Sequence, residues 1–151
     1  MQRAVKYLLA WFAVYLLATG TWQQLSPRSF YDHFPGFGLH WVDIDGPYNE
    51  HLLRDVGQGN IAMGLVALTA LLIGGVWLAR VTGMAVMVAN VPHQIYHQTH
   101  VDILPTVSEQ VLQTLTLSIV SVTAIALTVL AFRSPVSPPV EAPAVSHAGR
   151  S

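Results

Sequence analysis

The chain has 151 residues, of which 52% are hydrophobic and only 10% are charged. Soluble domains usually carry about 25% charged residues, so this composition argues against a soluble enzyme and against a disordered protein. Seven basic and eight acidic residues give a net charge of −1, which excludes a basic surface for nucleic acid. The chain has no cysteine, which excludes disulfides, thiolate nucleophiles and Cys-based metal sites.

Four apolar stretches, each with at least 21 residues free of Asp, Glu, Lys and Arg, follow one another along the chain. About 20 helical residues cross a hydrocarbon core, and a helix satisfies its own backbone there. The sequence therefore predicts an all-α, four-helix transmembrane bundle within residues 1–133. The predicted helices cover residues 4–25, 47–79, 81–100 and 108–132. The Pro-rich segment 134–151 is predicted to be a disordered cytoplasmic tail.

The first helix has two interpretations. Arg3 and Lys6 followed by an apolar run and the small residues Ala18, Thr19 and Gly20 resemble a cleavable secretory signal. We expect the segment to be retained as a membrane anchor.

The basic residues indicate the orientation of the bundle. If the first helix starts in the cytoplasm, the cytoplasmic segments hold five of the seven basic residues, and seven of the eight acidic residues fall outside. The five are Arg3, Lys6, Arg80, Arg133 and Arg150, whereas Arg28 and Arg54 lie outside. The positive-inside rule then predicts cytoplasmic termini and a multi-pass protein of the plasma membrane.

A long first extracytoplasmic loop, about residues 26–46, contains an aromatic run from Phe30 to Phe37. Loops of this length are uncommon unless they are functional. The aromatic content predicts that the loop lies over the bundle at the membrane interface. The loop either has a functional role there or is only an interfacial anchor.

Polar residues open the second helix. Asp45 and Pro47 are a helix-start signal, with Asp45 as the capping residue. Further along, His51, Asp55 and Gln58 share one helical face. Glu50 and Arg54 are spaced to form an i,i+4 ion pair beside that face.

Histidines close the third helix. His93, His97 and His100 stand at i, i+4 and i+7, and with Asn90 they form a narrow stripe. Asp102 follows directly. Because the second helix begins outside and the third ends outside, the two polar sets are predicted to meet at one end of the bundle.

This His/carboxylate cluster has a metal interpretation and a structural one. As a metal site it would ligate Zn, Fe or Mn through members of the set His93, His97, His100, His51 and Asp55. Asp102, Gln58 and Asn90 would orient those ligands. Haem is a less favoured cofactor, since nothing in the spacing specifies it. In the structural interpretation, the same side chains form a hydrogen-bonded network that closes the bundle.

Several glycines lie within the predicted helices, where small residues are typical of close helix packing. The sequence predicts such contacts at Gly57, Gly59, Gly64, Gly74, Gly75 and Gly83.

The segments 46–57 and 91–100, with their Asn-Glu-His and His-Gln-Ile-Tyr-His strings, resemble small actinobacterial four-helix membrane proteins that are loosely DoxX-like. The resemblance implies a four-helix membrane fold over about residues 5–132. It assigns no catalytic residue.

Two classes of function follow from the sequence. The first is an accessory or interaction subunit of a larger envelope-membrane complex, with lipid handling as one role for that complex. Its partners would be the lipid bilayer and other membrane protein subunits. The second is a membrane metalloprotein or oxidoreductase that uses the His/Asp cluster. No complete catalytic motif decides whether the chain is an enzyme.

Overall fold

A computed structural model describes residues 1–135, which are almost entirely helical. Four long helices are joined by short connections, and the first connection holds a short helix and a small hairpin. The elements are α1 (Arg3–Leu25), α2 (Pro27–His33), β1 (Pro35–Gly36), β2 (Leu39–His40), α3 (Glu50–Ile73), α4 (Val76–Thr99), a 3-10 turn (Val101–Ile103) and α5 (Val107–Arg133). Most of the predicted tail, residues 136–151, lies outside the described residues.

The turn between α3 and α4 falls within the second predicted helix. That helix was expected to reach residue 79, but α3 ends at Ile73, where Gly74 adopts a left-handed conformation (φ 80°) and donates its N–H to the Ala70 carbonyl. This is the usual glycine termination of a helix. Gly74 and Gly75 therefore form a turn, and not the helix-packing contact that the sequence predicted.

The start of α3 also differs from the prediction. The cap is Asn49, whose side chain accepts a hydrogen bond from the backbone N–H of Leu52 (3.1 Å). Asp45 lies four residues earlier, before Gly46 at a φ of 152° that only glycine adopts easily. Asp45 therefore does not cap α3 and lies in the connection between α1 and α3.

The long helices pack as two pairs, α1 with α3 and α4 with α5. A Cβ on Gly20 would lie 2.8 Å from the Gly57 carbonyl oxygen, so α1 and α3 touch backbone to backbone there. Gly64 lies against Leu17, and Gly83 lies against Thr128 of α5, as predicted for close packing. The prediction was wrong for Gly59, which has no neighbour on its open side.

The two pairs meet most tightly near the Gly74–Gly75 turn, which we call the turn end. Large side chains from α1, including Leu9 and Phe12, interlock there with alanines of the other three helices. Arg80 closes this end by donating to the carbonyls of Ala131 (3.2 Å), Phe132 (3.3 Å) and Ser134 (3.0 Å) at the terminus of α5. Ser134 is only 2% exposed, so the packing at this end includes the residue that follows α5.

Within the described residues, α1, α3 and α5 are the helices long and apolar enough to cross a membrane. The chain is thus an all-helical membrane protein with three candidate spans. Helix α4 is as long as α3 but more polar. Two of its polar side chains turn towards α5: Gln94 donates to Ser118 (2.7 Å) and Gln98 to Thr114 (3.0 Å).

The first connection is folded over the helix ends opposite the turn end. Phe30 of α2 and Trp41 after the hairpin are buried, in agreement with the prediction that the aromatic loop lies over the helices. The hairpin reverses through Phe37 (φ 59°) and Gly38 (φ 77°), both left-handed, as a two-residue type I′ turn requires. Phe37 is completely exposed at its tip.

Candidate functional site

The structure divides the predicted histidine stripe. His93 and His97 lie side by side, with ring centroids 4.6 Å apart, and both line a partly open cavity in which His93 is exposed and His97 is half-buried. His100 instead stacks on Tyr96 (4.3 Å between centroids) and its Nδ1 lies 2.8 Å from the Tyr96 carbonyl oxygen. His100 is exposed and does not line the cavity.

The polar residues of α3 face a different way. His51 Nε2 lies 3.3 Å from Asp55 Oδ2, and these side chains are 89% and 52% exposed. Leu52, Val56 and Asn60 line the cavity from α3 in their place. Across residues 1–135, no three His, Asp or Glu side chains converge into a group that could hold a metal ion. The structure therefore does not bring together the predicted ligands.

The residues predicted to orient the ligands are also separated. Asp102 lies exposed in the 3-10 turn and Gln58 is exposed on α3. Asn90 alone lines the cavity with His93, and its amide donates to the Val86 carbonyl (2.7 Å).

The predicted ion pair of Glu50 and Arg54 is confirmed, with 2.8 Å between Oε1 and Nη2. Arg54 also donates to the Gln24 carbonyl in the last turn of α1. The pair thus ties the start of α3 to the end of α1, and it lies outside the cavity. This position supports a structural role.

A cavity of about 460 Å³ separates the two helix pairs at the end opposite the turn end. All four long helices line it, and α2 with the segment 41–45 covers it. Cavities of about 300–1,000 Å³ are typical of sites for small molecules. Most of the lining is apolar or aromatic, contributed among others by Tyr15, Phe30, Phe34, Trp41, Met63, Leu117 and Val120.

A tyrosine helps to position the cover of the cavity, which consists of α2 and the segment 41–45. The Tyr31 hydroxyl lies within hydrogen-bonding distance of the Asp43 carbonyl (3.2 Å) and the Gly46 carbonyl (2.5 Å). These contacts fix the segment that carries Trp41 and Asp45 over the cavity.

An exposed arginine supports the same tyrosine from outside. The Arg28 guanidinium lies 5.6 Å from the centroid of the Tyr31 ring and donates to Asp32 (2.8 Å). The hydrogen bond to Asp32 raises the pKa of Arg28, so the guanidinium remains charged.

Asp45 is a cavity residue that the sequence did not indicate. Asp45 lines the cavity at its exposed side and lies close enough to interact electrostatically with both His93 and His97. The helix-start pattern assigned Asp45 to a cap, which concealed this position. The aromatic loop that precedes it was the available signal that the segment covers something.

Two side-chain amides, one buried and one half-buried, join the helices at the cavity wall. Asn60 of α3 donates its side-chain N–H to the side-chain Oε1 of Gln23 on α1 (2.8 Å), and both residues line the cavity. Gln23 is only 6% exposed. The contact sits beside the close approach of Gly20 and Gly57, which brings the two helices near enough for it.

Two other polar groups at the cavity lack partners. Gln113 of α5 is 4% exposed, and its amide makes no hydrogen bond within residues 1–135. The indole Nε1 of Trp41 is buried and finds no acceptor among the same residues. The Trp41 Nε1 has almost no accessible surface, so it does not open onto the cavity. Buried polar groups are nearly always paired in folded proteins, so Gln113 is the chemically distinctive residue of the cavity wall.

Comparisons with protein-family models, with curated proteins and with solved structures give no match to this chain. The resemblance to DoxX-like proteins stays a prediction.

Proposed function

We propose that this chain is a four-helix bundle of the plasma membrane with both termini in the cytoplasm. The polarity of α4 is compatible with a fourth span because its amides bond to α5 or line the cavity. Polar side chains in a membrane are tolerated where they face protein or a cavity. The turn end, with Arg80 and Arg133, would be cytoplasmic, and the cavity would open in the outer half of the bilayer.

This topology is testable with single cysteines, since the chain has none of its own. Phe37→Cys at the hairpin tip should react with a membrane-impermeant maleimide on intact cells, whereas Gly75→Cys should react only after permeabilisation. Both positions accept a side chain, because Phe37 is fully exposed and a Cβ at Gly75 meets nothing closer than 3.8 Å. Labelling of both positions from outside would refute the orientation.

We propose further that the cavity binds a small lipid-soluble ligand taken from the surrounding bilayer. The observation that supports this most directly is a mainly apolar cavity of about 460 Å³ that is lined by Gln113, a buried amide without a hydrogen-bond partner in the described residues. Apolar walls with a few convergent polar groups are the usual construction of a ligand site.

Filling the cavity tests the binding function. Leu117→Trp adds an indole to the cavity wall, whereas Leu115→Trp makes the same change on the same helix at a position 56% exposed on the outside. Mass spectrometry of organic extracts should find a compound at near-stoichiometric amount in the wild-type protein and in Leu115→Trp. That compound should be depleted in Leu117→Trp. Equal compound content in the two variants would contradict the proposal.

The binding function suits an accessory subunit of a lipid-handling membrane complex. Exposed polar side chains on the outward face of α3, including Gln58, would gain hydrogen bonds from a partner protein that acyl chains do not offer. A photo-crosslinking amino acid at Gln58 should give a discrete protein adduct in cells. The same group at Leu72, which is 74% exposed among apolar neighbours, should give none. Identical patterns at both positions would argue against a partner on this face.

A further inference from the structure

We infer that the ligand of this cavity is a lipophilic amine, whose protonated amino group lies beside Asp45 and whose apolar part points towards the turn end. The inference rests on the proposed binding function and adds the chemical class and the orientation of the ligand. Three observations support it: the distribution of polar residues along the cavity, the charges at the cavity, and the pairing of the acidic side chains around it.

The residues of the cavity that can carry a charge lie at its outer end, next to the cover. Asp45 belongs to the cover, and His93 and His97 lie in the last two turns of α4. On every long helix, the lining residue nearest the turn end is instead apolar or aromatic: Tyr15 on α1, Met63 on α3, Ala89 on α4 and Val120 on α5. His97 and Ala89 are about 12 Å apart along α4, at about 1.5 Å per residue. An amphiphile of that length would place its polar head at the cover and its apolar part at the inner end.

The charges at the cavity favour a cationic head group. In the described part of the chain, Asp45 is the one carboxylate that lines the cavity, and no lysine or arginine does so. An imidazole with the ordinary pKa of about 6.5 is neutral at about pH 8, so the two histidines leave the Asp45 charge unbalanced there. A carboxylate or phosphate head group would be repelled by Asp45 and would be buried without a counter-charge. An ammonium head group supplies the missing positive charge.

Asp45 is also unpaired, unlike most acidic residues around it. Seven of the eight acidic residues lie at the end opposite the turn end, and five of these seven have a side-chain partner within residues 1–135. The five are Asp32, Asp43, Glu50, Asp55 and Glu109. The Asp45 carboxylate has neither an ion pair nor a hydrogen bond among the same residues. It is therefore available to a ligand ammonium, and water screens an ion pair less at the edge of an apolar cavity than in bulk solvent.

Ten-carbon probes that differ only in the head group test the assignment. Decylamine, decan-1-ol and decanoate would each be added to the full chain in a non-ionic detergent at about pH 8, where the amine is protonated and the carboxylate is ionised. Bound probe would be counted by native mass spectrometry. We expect decylamine to bind about threefold more tightly than decan-1-ol, as is typical of a partly exposed ion pair, and about tenfold more tightly than decanoate. Binding of decan-1-ol or decanoate as tight as that of decylamine would overturn the inference.

The role of the Asp45 carboxylate is tested by a matched pair of variants. Asp45→Asn removes the charge at the cavity and leaves the contacts of Tyr31 with the cover, which are made to backbone carbonyls. Asp102→Asn is the control, because Asp102 is also exposed and unpaired at the same end but does not line the cavity. We expect Asp45→Asn to weaken the binding of decylamine about threefold without changing that of decan-1-ol. Asp102→Asn should change neither.

Two results with these variants would refute the ion pair. An equal loss of decylamine binding in Asp45→Asn and Asp102→Asn would show a general effect of surface charge. An equal loss of decylamine and decan-1-ol binding in Asp45→Asn would show a change in the packing of the cover.

The cavity-filling variant separates this inference from the proposed function. If Leu117→Trp abolishes binding of all three probes but the amine has no advantage over the alcohol in the wild-type protein, the cavity binds ligands and only the assignment of a cationic head group is wrong. If Leu117→Trp leaves every probe unaffected, the cavity is not the binding site and the proposed function fails with the inference.

Discussion

The close approach of α1 and α3 makes a quantitative prediction about two neighbouring glycines. Gly57→Ala would place a Cβ 2.9 Å from the Gln23 Cβ and 3.0 Å from the Gly20 carbonyl oxygen. Ordinary carbon contacts lie at about 3.5–4.0 Å, so the helices would have to separate by about 0.5–1 Å. Gly59→Ala, one half-turn further along α3, would meet nothing within 4 Å.

The two substitutions differ in packing and share their effect on the helix. Alanine favours a helix over glycine by about 0.8–1 kcal/mol, and this gain largely cancels between the two variants. Overpacking costs about 1–3 kcal/mol and applies to Gly57→Ala alone. We therefore expect Gly57→Ala to be about 1–3 kcal/mol less stable than Gly59→Ala.

The difference can be measured by titrating SDS into mixed micelles and following helix loss by circular dichroism. The free energy of unfolding of each variant is compared with the wild-type protein under the same conditions. If the free energies of unfolding of the two variants differ by less than about 0.5 kcal/mol, α1 and α3 do not approach each other at Gly57 as closely as the structure indicates. Gly57→Ala should also weaken ligand binding, because the separation stretches the Gln23–Asn60 bond at the cavity wall.

Three further expectations follow from the same packing. Arg80→Ala should lower the free energy of unfolding by about 1–3 kcal/mol, because three carbonyls lose a charged donor, whereas Arg133→Ala should have little effect in the same titration. A double-mutant cycle of Gln94→Leu and Ser118→Ala should give a coupling energy of about 0.6 kcal/mol, typical of interhelical hydrogen bonds in membranes; zero coupling would exclude the bond. Gln113→Leu should raise the free energy of unfolding of the protein without added ligand by about 1–3 kcal/mol, since it removes an unpaired buried amide. A destabilised variant would show that the Gln113 amide has a hydrogen-bond partner.

The sequence predicts the first and last long helices to within one residue. Both contain a long apolar run flanked by charged or polar residues, so the change in hydropathy marks their approximate limits. The turn between α3 and α4 was missed because no change in hydropathy marks it. Gly74 and Gly75 are flanked by apolar residues on both sides, and a glycine pair in such a run is compatible with packing or with a turn. Only the backbone conformation of Gly74 distinguishes the two.

The candidate site was predictable only in part. The helical period correctly places His93 and His97 side by side, but it cannot indicate which face of α3 turns inward to meet them. That choice follows from Gly57, which packs against α1 and leaves His51 outside. Asp45 was not predictable from local pattern, because its position depends on the contacts of Tyr31 with the cover segment.

The location of the polar residues argues that the cavity is maintained for a reason other than stability. Polar side chains that only close a bundle would pair with one another, as Gln94 and Ser118 do. Gln113 instead leaves a buried amide without a partner in the described residues, at a cost in stability that an apolar side chain would avoid. The two pairs of helices are closely packed at the turn end, so the sequence is capable of filling the space between them. A chain that packs one end tightly and keeps an unpaired buried amide beside a cavity at the other has the construction that the proposed ligand binding requires.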